Sequence, residues 1–176
     1  MATGAVGQKS KVPGSNKPHV YTDLQVTGGK DKELGKTVIV VGGGVIATEI
    51  AVSQAMKGKK VIMTTRKTSE IEIADDESSP NRMCLMDMVK AYNVQINLGL
   101  TLKEVTDDGI ISVDQEGKTH KFKGDSVVIC AGFLPNNNLA KALKGKVKEV
   151  RSIGDCVKPR LIGDAIQEGW LAANQI

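Results

Sequence analysis

From Lys36 onward the apolar positions alternate between short β-branched runs and longer stretches at helical spacing. Thr37-Val38-Ile39-Val40-Val41 is an unbroken apolar run, the pattern of a strand covered on both faces. It breaks at Gly42-Gly43-Gly44. Ile46, Ile50, Ala51, Gln54 and Ala55 then recur at helical spacing, which predicts a helix from residue 45 to about residue 57, stopped by Gly58. Residues 60–65 predict a second strand. A polar cluster at 75–79 leads into Pro80, after which Met83, Leu85, Met86, Val89 and Tyr92 predict a second helix ending near Asn93, with its methionines in the core. Residues 94–98 predict a third strand.

The rhythm then changes. Segments 102–105, 109–113 and 119–122 are short and are separated by Asp107-Asp108-Gly109 and Gln115-Glu116-Gly117, both hairpin-turn signals. They predict an antiparallel meander inserted ahead of an apolar strand at 126–131. Residues 137–143 predict a short helix and 147–153 an extended piece. A last helix at 160–176 would carry Ile162, Ala165, Ile166, Gly169, Trp170 and Ala173 on one side. The Gly- and Lys-rich stretch 5–36, with Pro13 and Pro18, reads as connector in which only 20–26 is extended. The fold class is α/β: a Rossmann-like three-layer domain with a parallel sheet and an inserted antiparallel β-meander.

Composition narrows the function classes. The 176 residues suffice for an apolar core, and the 40% apolar and 25% charged shares with a net charge of +4 are those of a folded domain. One Trp, two Tyr and two Phe leave little for stacking bases, so nucleic acid is not an expected partner. The apolar runs are too short to cross a bilayer, and residues 1–4 carry no charged segment followed by an apolar one. Cys84, Cys130 and Cys156 match neither redox C-x-x-C nor metal or cluster spacing, which points to a reducing cytoplasm. Cys130 reads as core, Cys84 as half-buried and Cys156 as exposed enough to oxidise. His19 and His120 lack a nucleophile at any recognisable motif. Asp75, Asp76 and Glu77 suit the start of the second helix, and Lys141, Lys144, Lys146 and Lys148 suit a solvated face.

Gly42-Gly43-Gly44-Val45-Ile46-Ala47 fits G-x-G-x-x-G/A in the position its mechanism requires, after a strand and before a helix. The first glycine permits the turn, the second lets backbone approach a pyrophosphate, and Ala47 lets helix and strand pack closely. The free N–H groups at the helix start then face the phosphates. A related loop serves adenosylmethionine-dependent methyltransferases, but those, like NAD sites, commonly place an acid at the end of the second strand. Here the strand ends Thr64-Thr65-Arg66-Lys67 with no acid before Glu70. Thr65, Arg66 and Lys67 suit a 2′-phosphate, which favours NADPH over NADH.

With the loop, meander and tail in place, the chain resembles the pyridine-nucleotide-dependent flavoprotein reductases with two dinucleotide-binding domains. It is most similar in kind to the C-terminal region of the old-yellow-enzyme-like NADH:flavin oxidoreductases, the group of 2,4-dienoyl-CoA reductase, 2-enoate reductase and trimethylamine dehydrogenase. The residues carrying the resemblance are Ala2-Thr3-Gly4-Ala5, residues 38–51 with Glu49 in a GGGxxAxE pattern, 125–139 (DSVVICAGFLPNNNL), and 152–176 (SIGDCVKPRLIGDAIQEGWLAANQI).

The resemblance implies a nicotinamide-binding domain inserted in a flavin-binding one. It implies that Thr3, Gly4, Gly154 and Asp155 are the remnant of an FAD site, that Glu49 lies near the nicotinamide, and that Ala131-Gly132-Phe133 forms a second loop over the nucleotide. Residues 1–35 would be flavin-domain remnant and connector, 36–150 the NAD(P)-binding domain, and 151–176 flavin-domain remnant with a C-terminal helix.

The strand and glycine loop of an FAD domain, an FMN barrel and iron–sulfur cysteines are missing from the sequence. The expectation is therefore a fragment of a larger flavoenzyme, a parent reducing an alkene or enoate or oxidising NADH. The fragment would not be catalytic by itself and would bind no FAD alone. FMN and an iron–sulfur cluster would belong to the absent domains, which are its expected partners beside the nicotinamide dinucleotide. The alternative is a stand-alone dinucleotide-binding or redox-sensing module without catalysis.

Overall fold

The computed structural model describes residues 1–175; Ile176, where the sequence predicts the end of the last helix, lies outside the described residues. In chain order the elements are strands β1 (Ala5–Gly7) and β2 (Val20–Thr22), helix α1 (Asp23–Thr27), β3 (Thr37–Val41), α2 (Val45–Met56), β4 (Lys60–Thr64) and α3 (Ser79–Ala91). There follow β5 (Gln95–Asn97), β6 (Thr101–Thr106), β7 (Gly109–Val113), β8 (Thr119–Lys123), β9 (Ser126–Ile129), β10 (Phe133–Pro135), α4 (Asn138–Leu143) and α5 (Ile162–Ala173). They form two compact units, Lys9–Ala131 and a second made of Met1–Gln8 with Gly132–Ile176.

The unit Lys9–Ala131 is built on a parallel sheet of order β2-β9-β3-β4-β5. Its centre is β3, whose Val38, Ile39 and Val40 are completely buried, as an apolar run with cover on both faces requires. Alternation along β3 divides the core. Val38 and Val40 pack with Ile50, Ala51, Met63, Val89 and Val128 on the side of α2 and α3. Ile39 packs with Ile62, Val105, Ile110 and Val127 on the side of the separate antiparallel sheet β6-β7-β8. Helices, parallel sheet and meander make the three layers. Pairing of Val41 with both Thr64 and Ile129 brings the carboxyl ends of β3, β4 and β9 to one level.

Several elements depart from the sequence expectation. Of the residues 20–26 expected to be extended, Val20–Thr22 are, forming the edge strand β2 parallel to Val127–Ile129, whereas Asp23–Thr27 is helical because Thr22 and Gln25 cap α1 reciprocally. Three residues show no period, and the partner strand lies far along the chain. Residues 147–153 form no strand: Arg151 and Ile153 pair their backbone with Met1 alone, too short a match to make a ladder. Met83 is 66% exposed and Cys84 is exposed, because α3 buries only Val89 fully and packs Leu85 and Met86 partly. Cys156 is buried, not exposed, its thiol donating to the Ile153 carbonyl at 3.1 Å.

In the second unit β1 pairs antiparallel with β10. Helix α5 presents Ile162, Ile166 and Trp170 as an exposed stripe. No helix among the described residues is long and apolar enough to cross a membrane.

Candidate functional site

The turn from β3 into α2 lies at the carboxyl edge of the sheet, where β4 lies on one side of β3 and β9 on the other. That reversal of strand order is where open α/β sheets leave a crevice for ligands. Gly42 has φ +151°, and a Cβ there would stand 3.0 Å from the Cβ atoms of both Ala47 and Cys130. Only a glycine lets α2 sit this close to β3 and to the chain leaving β9. Ala47 is buried at that contact, the role its small size predicts. A Cβ on Gly43 would meet Thr65 Oγ1 at 2.4 Å, so this glycine serves the approach of the β4 end.

The first four N–H groups of a helix lack partners within it. In α2 the Thr48 amide donates to the Gly44 carbonyl at 3.1 Å, and the Val45 amide donates to the Asp76 carboxylate at 2.8 Å. The amides of Ile46 and Ala47 remain for a phosphate, next to backbone that carries no side chain at Gly44. These residues fit a dinucleotide pyrophosphate.

The β4 end separates the three residues expected to hold a 2′-phosphate. Thr65 is buried, its hydroxyl accepting the Lys67 amide at 3.2 Å. The Lys67 ammonium pairs with Asp75 and also donates to the Glu72 carbonyl. Arg66 alone is exposed and has no ion-pair partner among the described residues. Lys67 holds the Asp75 carboxyl below the usual carboxylate range, and the Thr68 and Ser69 amides do the same for Glu72.

Glu49 is exposed on α2 and faces a cleft of about 340 Å³ shared with Ile46, Ser53 and Gln54 of α2 and with Val26 and Thr27 of α1. Ala131 ends the unit Lys9–Ala131, while Gly132 and Phe133 begin the part of the second unit that carries β10. Burial pushes the neighbouring Cys130 thiol up to about 12, which leaves it protonated and unreactive.

The four residues expected on the flavin side, Thr3, Gly4, Gly154 and Asp155, all fall in the second unit. The Thr3 hydroxyl donates to the Asn136 carbonyl at 2.5 Å, and Gly4 turns with φ +70°. Gly154, at φ +68°, donates its amide to Glu168 at 2.6 Å, and Asp155 accepts the Arg160 amide at 3.3 Å. Met1 ties the two segments together through the Ile153 amide. No cluster among the described residues would hold a metal ion.

One group has no counterpart in the sequence reading. Of the three acidic residues expected at the start of α3, Glu77 is there, accepting the Ser78 amide at 2.7 Å, while Asp75 pairs with Lys67 and Asp76 turns toward α2, on the Val45 amide. The only signal in the sequence is a carboxylate cluster ahead of a proline, which does not specify the helix it caps.

A glycine turn between strand and helix at the switch point of a parallel sheet defines a dinucleotide-binding domain of Rossmann type. The chain belongs to the pyridine nucleotide-disulphide oxidoreductase family, whose profile matches residues 1–169. It is 32% identical over 175 residues to a bilirubin reductase of Mediterraneibacter gnavus, covering 99% of this chain and 26% of that protein. It is 31% identical over 182 residues to an NADH oxidase of Thermoanaerobacter brockii, covering 100% of this chain and 27% of that protein. Among solved structures, 2-naphthoyl-CoA reductase in complex with 2-naphthoyl-CoA superposes with a TM-score of 0.84 at 29% identity, over 96% of this chain and 25% of that one. The chain thus spans about a quarter of the length of these relatives.

Proposed function

We propose that this chain binds NAD(P)H and positions the nicotinamide for hydride transfer to FAD within an old-yellow-enzyme-like NADH:flavin oxidoreductase, the parent being an alkene or enoate reductase or an NADH oxidase. The observation that carries this reading is the glycine loop 42–47 at the carboxyl edge of β3, packed so closely that Gly42 and Gly43 admit no side chain. The bilirubin reductase and NADH oxidase relatives support a flavin-dependent redox role.

In this reading the loop 42–47 holds the pyrophosphate, Glu49 lies toward the nicotinamide, and Ala131, Gly132 and Phe133 cover the nucleotide. Arg66, with Thr65 and Lys67 beside it, takes the 2′-phosphate and makes NADPH the preferred cofactor over NADH. Thr3, Gly4, Gly154 and Asp155 belong to the flavin side, where FAD needs the rest of the parent. The nicotinamide supplies a hydride when bound; the protein supplies binding and orientation. FMN and an iron–sulfur cluster, if the parent uses them, are held outside this chain. A cytoplasmic location fits its three free cysteines.

The test is calorimetric titration of the folded chain with NADH and NADPH, beside Gly44→Val. A valine there enters the space a phosphate needs, so affinity should fall at least about tenfold while thermal unfolding changes little. Equal affinity in the two proteins would make the loop a turn and nothing more.

A further inference from the structure

The glycine loop is not open. Asp76 Oδ1 accepts the Val45 amide at 2.8 Å, and its Oδ2 lies 3.2 Å from the point where a Cβ on Gly44 would stand. A carboxylate oxygen and a phosphoryl oxygen are the same kind of partner for the first amides of a helix, an anionic acceptor at its positive end. Asp76 therefore fills, with its own charge, the side of the loop that the missing Gly44 side chain leaves free.

The segment that delivers it is held from several directions. The Ala74 amide donates to the Gly43 carbonyl at 2.9 Å, and Ile73 and Ala74 are completely buried. Ala74 has φ +51°, a left-handed backbone that a residue with a side chain adopts only where its surroundings enforce it. From α3, the Arg82 guanidinium donates to the carbonyls of Glu70, Ile71 and Ile73, each at 2.7 Å. Lys67 anchors the same segment through Asp75 and the Glu72 carbonyl.

We propose that residues 70–78 form an autoinhibitory strap that keeps Asp76 on the glycine loop as an internal anion, so that a dinucleotide binds only by exchanging its pyrophosphate for that carboxylate and releasing the strap. This inference rests on the dinucleotide reading of the loop. Two anions repel at one amide, so the carboxylate and a phosphate exclude each other there. Release of the strap makes two groups available in one motion: the Val45 amide and the Lys67 ammonium, whose Cδ already lies 3.1 Å from the Cβ position of Gly43. An Asp76 that merely capped α2 and shaped the loop for its ligand would have the opposite sign, since its loss would weaken binding.

The experiment titrates the full chain, Asp76→Asn, Asp76→Ala and Gly44→Val with NADH and with NADPH, and follows amide hydrogen exchange across residues 70–78 with and without saturating NADH. Asp76→Ala should bind both cofactors about tenfold more tightly, by the same factor for each because the pyrophosphate is common to them. Asp76→Asn keeps the shape and loses the charge, and should lie between. Exchange in the strap should accelerate when NADH binds the wild type. If the wild type binds, Gly44→Val does not, and either both Asp76 variants bind no more tightly or strap protection is unaltered, the strap is overturned and the dinucleotide reading stands. If the wild type and Gly44→Val both bind and do so alike, or none of the four proteins binds, the loop is not the site and both fall.

Discussion

At the β4 end two adjacent cations of the same charge have different surroundings. Lys67 is committed to Asp75 and to the Glu72 carbonyl, whereas Arg66 is exposed and has no ion-pair partner among the described residues. Arg66→Ala should weaken NADPH binding about tenfold at low salt, less at physiological salt, and leave NADH unchanged, as the loss of one exposed charge-assisted contact predicts. Titration of both proteins with both cofactors at two ionic strengths checks it, and equal losses for NADH and NADPH would remove Arg66 from the 2′-phosphate. The sequence shows three residue types suited to phosphate but not which of them are already used. Thr65 makes the same point: a glutamate there, the ribose acceptor an NADH site commonly has, would stand where the buried threonine touches Gly43. Neither burial nor the partner of a charge can be read from adjacency in the chain.

At the scale of elements, β3, its glycine turn and α2 are legible because each is long or strongly patterned, and the meander is legible through its two turns. What escapes is short or paired at a distance: β2, whose partner is β9, and the 70–78 strap, whose anchors come from the glycine turn, α2 and α3. The strap has a pH dependence that follows from its carboxylates. Asp75, Glu72 and Glu77 are all held below their ordinary range, by Lys67, by the Thr68 and Ser69 amides, and by the Ser78 amide respectively. A depressed folded-state value stabilises the ionised fold above the unfolded value, and that contribution is lost as pH falls through the folded one. Strap protection measured by hydrogen exchange should therefore be level above about pH 5 and fall progressively below about pH 4. Lys67→Met should remove the share that belongs to Asp75. Protection that rises on acidification would contradict these pairings.

At the scale of the molecule, Lys9–Ala131 contains its whole parallel sheet, its meander and both core clusters. A polypeptide of residues 9–131 should therefore fold by itself and unfold cooperatively, as single domains that contain their own core do. Far-UV circular dichroism during heating decides this, and a gradual, non-cooperative loss of signal would show that the core needs the second unit. Alternating strand and helix patterns make this unit legible as α/β from the sequence. The division of the chain is not: contacts set it at residues 8/9 and 131/132, inside stretches that carry no change of composition.

The three thiols differ in a way that has practical use. Cys156 is buried and Cys130 is held protonated by its surroundings, while Cys84 is exposed on α3 two positions from Arg82. A maleimide dye or a nitroxide added to the unaltered chain at neutral pH should therefore attach at one place, beside the arginine that grips the strap. The native protein thus brings its own labelling handle, and a spectroscopic reporter of motion over the glycine loop needs no engineered cysteine.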